Sequence, residues 1–259
     1  MSQTLGQSLS SPNARDNAFD SIRLFAASAV IISHSFALTR GSDLTEPLFR
    51  MTQGQATIGL SAVGIFFIVS GVLISMSFDR SKAAARFALN RALRLFPGLW
   101  VCILLTVFVL GPMLTMLPLI DYFSDKQTWG FLGALIFWQF SPGMGGVFPD
   151  HPYPHAVNGS LWTLKYEVAC YIGGALLLST GRWRRALVLL VWGISMTGTI
   201  LLGDPHQHSG LLYHVAQLLW LFRFYGAGML CYLYRDRIVL HSGYGWLTAL
   251  GVVLAMATP

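Results

Sequence analysis

Apolar runs of about twenty residues recur along this chain, and they constrain its fold more than any other feature. Residues 19–39, 58–78, 95–118, 160–180, 186–203, 211–233 and 243–258 are each read as a span of a hydrocarbon core about 30 Å thick, for which a helix needs roughly 20 residues. Lipid offers no partner for a backbone N–H or carbonyl, so such runs must close their hydrogen bonds internally, as helices. The balance of residues agrees: 54% of the 259 are hydrophobic and 11% charged, with a mean hydropathy of +0.57, more apolar surface than a soluble domain of this length can bury. Trp129–Phe140 is apolar but only about a dozen residues long, which suits a re-entrant or interfacial helix. The expected fold is all-α, a polytopic transmembrane helical bundle of about seven spans plus that one short insert.

Residues 1–18 are polar and Ser-rich, with no apolar stretch leading to a small-residue cleavage site, and are expected to form a cytoplasmic tail. Residues 19–259 are expected to form a single membrane-embedded domain. With the N-terminus in the cytoplasm, eleven basic residues fall inside: Arg15, Arg80, Lys82, Arg86, Arg91, Arg94, Arg182, Arg184, Arg185, Arg235 and Arg237. Arg40, Arg50 and Lys126 fall outside, while Arg23, Lys165 and Arg223 lie in or at the ends of spans. A full crossing through Trp129–Phe140 would move Arg182–Arg185 outside, which favours the short insert. The net charge of +6 fits cytoplasmic loops beside anionic lipid or an anionic cytosolic ligand and calls for no nucleic acid. Cys102, Cys170 and Cys231 fall inside apolar runs without metal-like spacing and read as packing residues.

Titratable groups inside spans cost about 2.5–3.5 kcal/mol or more, so those that persist are paired or functional. Arg23 and His34 lie eleven residues apart in the first span, about three turns, which puts them on one helix face about 16 Å apart along the axis. One reading is a snorkelling arginine and a polar histidine against a neighbouring helix; the other is a functional pair. Arg91 and Arg94, in a short helix expected to run into the third span with Pro97 near its first turn, present two cations on one face. They serve topology alone or clamp an anion such as a phosphate. Ser160, Thr163 and Glu167 recur at i, i+3 and i+7, a polar stripe on an apolar helix. Glu167 is one of two glutamates in the chain, and pairing with Lys165 or Arg223 is the structural alternative to a functional role.

His151 and His155 flank a Pro-Tyr-Pro turn, and His206 and His208 follow Asp204-Pro205. These spacings lack a convincing third and fourth ligand, so the histidines read as solvated loop residues and no metal site is expected.

Four segments taken in order resemble the membrane acyltransferase-3 family: the Arg23-to-His34 spacing, Val63-Gly-Ile-Phe-Phe-Ile-Val-Ser-Gly71, Arg91-Ala-Leu-Arg-Leu-Phe-Pro97, and Ser160-Leu-Trp-Thr-Leu-Lys-Tyr-Glu167. The likeness covers about residues 18–180. It implies an O-acyltransferase using acyl-CoA, commonly acetyl-CoA, as donor, with a glycan or lipid-linked sugar as acceptor, in the lipid bilayer of a bacterial inner membrane. It implies that His34 is catalytic with Arg23 its partner, that Arg91 and Arg94 contact the coenzyme A phosphates, and that Glu167 is functional. Ser160, Trp162 and Thr163 are the expected substrate contacts. The family continues through further spans where this chain stops at Pro259, so the resemblance implies a domain shorter or incomplete at its C-terminus.

The chemistry is consistent with that likeness. With phosphates held at the cytoplasmic arginines, an extended pantetheine arm could carry a thioester about 16 Å along the first span to His34. Imidazole is the side chain best matched to neutral pH as a general base for a sugar hydroxyl, with Glu167 orienting it or the acceptor; an acyl-histidine is the covalent alternative. Rival classes are a transporter or flippase with an intramembrane Arg/His/Glu path, and a scaffold whose polar residues hold helices together.

Overall fold

The computed structural model describes residues 3–10, 19–81, 83–136 and 143–241, and within them the apolar runs are helical over most of their length. In chain order the elements are β1 (Gln3–Thr4), α1 (Leu5–Ser10), α2 (Phe19–Arg40), α3 (Pro47–Met51), α4 (Ile58–Arg80), α5 (Ala84–Leu105), α6 (Gly111–Leu114), α7 (Leu119–Ser124), α8 (Lys126–Leu132), α9 (Leu164–Leu178), α10 (Arg184–Leu202), α11 (Gly210–Leu233) and β2 (Val239–Leu240). Among the described residues four helices are both long and apolar enough to cross a membrane: Phe19–Arg40, Ile58–Arg80, Ala85–Leu114 and Gly181–Leu202. Helix α11 has the length, 24 residues, but His214, Gln217 and Arg223 dilute its apolar character. The expected span at 160–180 is a 3-10 turn, Gly159–Thr163, followed by only 15 α-helical residues. The expected span at 243–258 lies outside the described residues. The insert expected at Trp129–Phe140 is the short α8 and a 3-10 turn, Gly133–Ile136, as far as the described residues run.

The chain divides into two packed units. The first comprises Met1–His34, Asp43–Arg80 and Ala169–Pro259. At its centre α4 crosses α11 at very short range. A Cβ on Gly71 would run into the Tyr225 carbonyl oxygen, and one on Gly228 into the Ile68 carbonyl oxygen, so glycine at both positions lets the two backbones touch. Gly64 accepts the Phe224 ring in the same way, with a virtual Cβ 3.1 Å from it. The glycines of the Val63–Gly71 segment are therefore contact points. Helix α10 joins through side chains that donate to α11 carbonyls: Ser195 to Leu219, and Trp192 Nε1 to Arg223 at 2.9 Å.

One end of this unit is stitched by charge. Arg184 pairs with Asp79 at 2.7 Å, and the Tyr232 hydroxyl donates to the other Asp79 oxygen at 3.1 Å, tying the end of α4 to the start of α10 and the end of α11. The N-terminal residues reach the same end. Residues 3–10 form a two-residue strand and a short helix where the sequence suggested only a polar tail. The strand pairs antiparallel with β2 in the register Gln3 to Leu240 and Thr4 to Val239. Leu9 packs with Val72 and Tyr232, and Gly6 leaves room for the Asp236 carboxylate. The strand pairing satisfies backbone groups that a loose tail would leave to water, a small departure from an all-α chain.

The second unit comprises Ser35–Ser42 and Ser81–Val168. Its core joins Leu99, Ile103 and Val107 of the long helical rod Ala85–Leu114 to Tyr122, Phe131, Met144 and Val147. The rod widens into a π-helical turn at Thr106–Leu110. There the Val107 carbonyl accepts the Tyr122 hydroxyl at 2.8 Å, and Gly111 leaves space for the phenol. Burial raises the Tyr122 pKa above its usual value, with a Thr128 hydrogen bond opposing, so the hydroxyl stays protonated and donates.

Gly71→Val and Gly228→Val should each lower stability by about 1–3 kcal/mol in detergent thermal unfolding, because backbone cannot yield as a side chain can. Gly193→Ala, which meets nothing within 4 Å, should leave it unchanged or raised. Tyr122→Phe should cost about 1 kcal/mol in the same measurement.

Candidate active site

Helix α2 buries a narrow strip of small residues, Ala26, Ser33 and Ala37, and turns Leu24, Phe25 and Ile31 outward at 71%, 72% and 71% exposure. Each residue advances the helix by about 100°, so Arg23 and His34 fall on one flank of the packed strip, away from the outward ridge. Both are half-buried. Their spacing along the axis is about 16 Å, and His34 stands about 9 Å before the end of the helix at Arg40.

Helix α5 carries Arg91 and Arg94 in its second and third turns. Arg91 is half-buried, with its guanidinium 5.9 Å from the centroid of the Phe87 ring one turn earlier; Arg94 is exposed. Pro97 lies inside this helix, where a short lead-in helix was expected, so a continuous helix runs from the arginines to Leu105. The lost hydrogen bond and the crowded Leu93 carbonyl fall where both residues are exposed, which makes the interruption tolerable.

The segment ahead of α9 is opened by Asn158, whose side chain accepts the Ser160 N–H at 3.1 Å. In the 3-10 turn that follows, Ser160 and Thr163 eclipse, and the Thr163 hydroxyl donates to the Ser160 carbonyl at 3.4 Å. Four α-helical positions carry the stripe on by about 40° to Glu167, so the polar stripe survives the change of helix type. Trp162 meets Tyr166 edge-on at 6.0 Å, and Lys165 lies 5.1 Å over the Tyr166 ring. Leu161 and Leu164 rest on the cluster that holds Leu99 and Ile103, so this run and the arginine helix share one apolar support. The first unit thus holds Arg23 and His34. The second holds Arg91, Arg94, Ser160, Trp162, Thr163 and Glu167.

Arg223, considered above as a partner for Glu167, packs over Trp220 at 4.8 Å and Phe224 at 4.6 Å in the first unit. The loop histidines have local contacts: the His151 ring lies 4.7 Å from Phe148, the His155 N–H donates to the Phe148 carbonyl, and His208 Nε2 stands 2.8 Å from the Leu202 carbonyl. Among the described residues no three His, Cys, Asp or Glu side chains are gathered to hold a metal ion. Two carboxylates escaped the reading of the sequence. Asp79 ties three helices together, and Glu46, fully buried, caps the start of α4. Glu46 stands just before the Pro47 that opens α3, a sign of a structured turn in what reads as a plain loop.

Four membrane-length apolar helices among the described residues, the first of them carrying a half-buried guanidinium and imidazole, describe an integral membrane protein. The chain belongs to the acyltransferase-3 family, described as an acyltransferase domain, which matches residues 16–259. It is 34% identical over 226 residues to an O-acetyl transferase of Shigella phage Sf6, covering 84% of this chain and 63% of that protein. It is 32% identical over 194 residues to Nodulation protein 10 of Rhizobium leguminosarum bv. viciae, covering 72% of this chain and 51% of that one. The chain thus spans between half and two thirds of the length of these relatives. No solved structure matches it.

Arg94→Ala should change thermal stability by less than about 0.5 kcal/mol, since the side chain is exposed, so a loss of activity in that variant reports on ligand contact.

Proposed function

We propose that this chain transfers an acyl group, acetyl in the first instance, from cytoplasmic acyl-CoA to a hydroxyl of a glycan or another exported acceptor in a bacterial inner membrane. The observation that carries the reading is His34, half-buried on the packed flank of α2 with Arg23 three turns below it. The family and the O-acetyl transferase of the phage support the class of reaction. His34 takes the proton of the acceptor hydroxyl as that oxygen attacks the thioester carbonyl. The carbon–sulfur bond then breaks, coenzyme A leaves as the thiolate, and the imidazolium returns the proton to it. Arg23 and Glu167 orient the reacting groups, Arg91 and Arg94 bind coenzyme A phosphates through charge-assisted hydrogen bonds, and Ser160, Trp162 and Thr163 contact substrate.

The proposed orientation puts the N-terminus in the cytoplasm, at the end of the first unit where Asp79 meets Arg184 and where Arg80, Arg235 and Arg237 gather. The proposed topology keeps the seven spans and the short insert of the sequence, with 243–258 outside the described residues.

Purified protein given labelled acetyl-CoA should hydrolyse or transfer the acetyl group, and cells lacking the gene should lose O-acetyl from a surface glycan. His34→Ala should lower turnover about 10²–10⁴-fold while the protein still inserts. Arg91→Ala with Arg94→Ala should raise KM for acetyl-CoA by about tenfold or more. Undiminished turnover in His34→Ala, or solute flux that needs no coenzyme, would overturn the proposal.

A further inference from the structure

We infer that Glu46 is a positioning residue for His34: its buried carboxylate holds the first turn of α4, and that turn holds the part of α2 that carries the imidazole. The inference rests on the proposed catalytic role of His34.

Glu46 is 0% exposed and lies in the connection between α2 and α4. Its Oε1 accepts the Ile58 N–H at 2.9 Å, twelve positions along the chain. Ile58 opens α4, where the first N–H groups have no partner in the helix and the helix dipole favours a negative charge. Thr57 already caps the same end, accepting the Leu60 N–H at 3.0 Å. The head of α4 therefore has side-chain acceptors on two different N–H groups, and one of the two is a fully buried carboxylate. Glu46 Oε2 is buried with no hydrogen-bond partner among the described residues, an expensive way to make a cap.

What the carboxylate holds in place is Gly59. A Cβ there would come 2.7 Å from Ser33 Oγ and 3.1 Å from Ser33 Cβ, so the first turn of α4 presses directly on α2 at Ser33. Ser33 is 4% exposed and immediately precedes His34. The connecting loop cannot easily absorb a shift. The Thr52 hydroxyl donates to the Leu48 carbonyl at 2.8 Å and accepts the Ala56 N–H at 3.1 Å, and Thr52 and Thr57 are both buried. A displacement of the α4 start therefore passes through Ser33 to the neighbouring imidazole, and misplacing a reacting group by about 1 Å costs up to a hundredfold in rate.

Full-length Glu46→Ala, Glu46→Gln and Gly59→Val proteins in lipid nanodiscs would be compared with the wild type on two readouts. These are kcat and KM for acetyl-CoA per folded molecule, and the rate of His34 carbethoxylation by diethyl pyrocarbonate, read by peptide mass spectrometry. Glu46→Ala and Gly59→Val should lower kcat roughly ten- to a hundredfold at unchanged KM and alter the His34 modification rate. Glu46→Gln keeps an oxygen for the Ile58 N–H and should stay within about tenfold of wild type on both. Unchanged kcat per folded molecule and unchanged His34 modification in Glu46→Ala would overturn the inference. If Glu46→Ala does not fold, Gly59→Val decides by the same readouts. A wild type that transfers no acetyl group would sink the proposed function instead, and His34 modification would still decide the role of Glu46.

Discussion

The first unit depends on the contact of two glycine backbones where α4 crosses α11. A membrane offers little hydrophobic drive for one apolar helix to prefer another, so close packing and the polar groups that such packing brings into range must supply the association. Gly71 and Gly228 allow that approach, and the rest of the unit is arranged along α4 as its axis. Its far end is held by Asp79 to α10 and α11, and its first turn meets Ser33 of α2. One helix thereby relates the basic end of the unit to the region of His34.

Polar side chains in both units follow a common rule. Ser75, Thr106, Ser195, Trp192, Trp100 and Tyr122 all donate to backbone carbonyls, and several cations lie over rings. In an apolar surrounding an unmade hydrogen bond is costly, and a main-chain carbonyl is the acceptor always at hand. Trp192 and Ser195 do this between helices, so the same bonds that satisfy polar groups also set how α10 lies on α11. Arg223, stacked on Trp220 and Phe224 in mid-helix, shows the equivalent solution for a positive charge.

Much of this architecture was legible in the residues. Length and hydropathy sufficed for the long apolar helices because a helix closes its backbone hydrogen bonds within one segment, while the run at 160–180 holds only 15 α-helical residues after its 3-10 turn. The eleven-residue spacing sufficed to put Arg23 and His34 on a common flank of α2, and the i, i+3, i+7 stripe at Ser160, Thr163 and Glu167 outlasted a change from 3-10 to α geometry. Residues 3–10 and 43–57 were not legible. Their order comes from partners far along the chain, Leu240 for Gln3 and Ile58 for Glu46, and no local pattern announces such a pairing.

The sequence by itself determined that the long apolar segments are helical, that some of their faces are polar and which family the chain joins, because each of these follows from local composition and periodicity or from short ordered motifs. Only the tertiary structure decided which glycines are contact points, that Asp79 joins three helices, and that Glu46 lies buried at the head of α4. Those facts depend on atoms brought together from distant positions, and an isolated glycine or glutamate carries no sign of what it will meet.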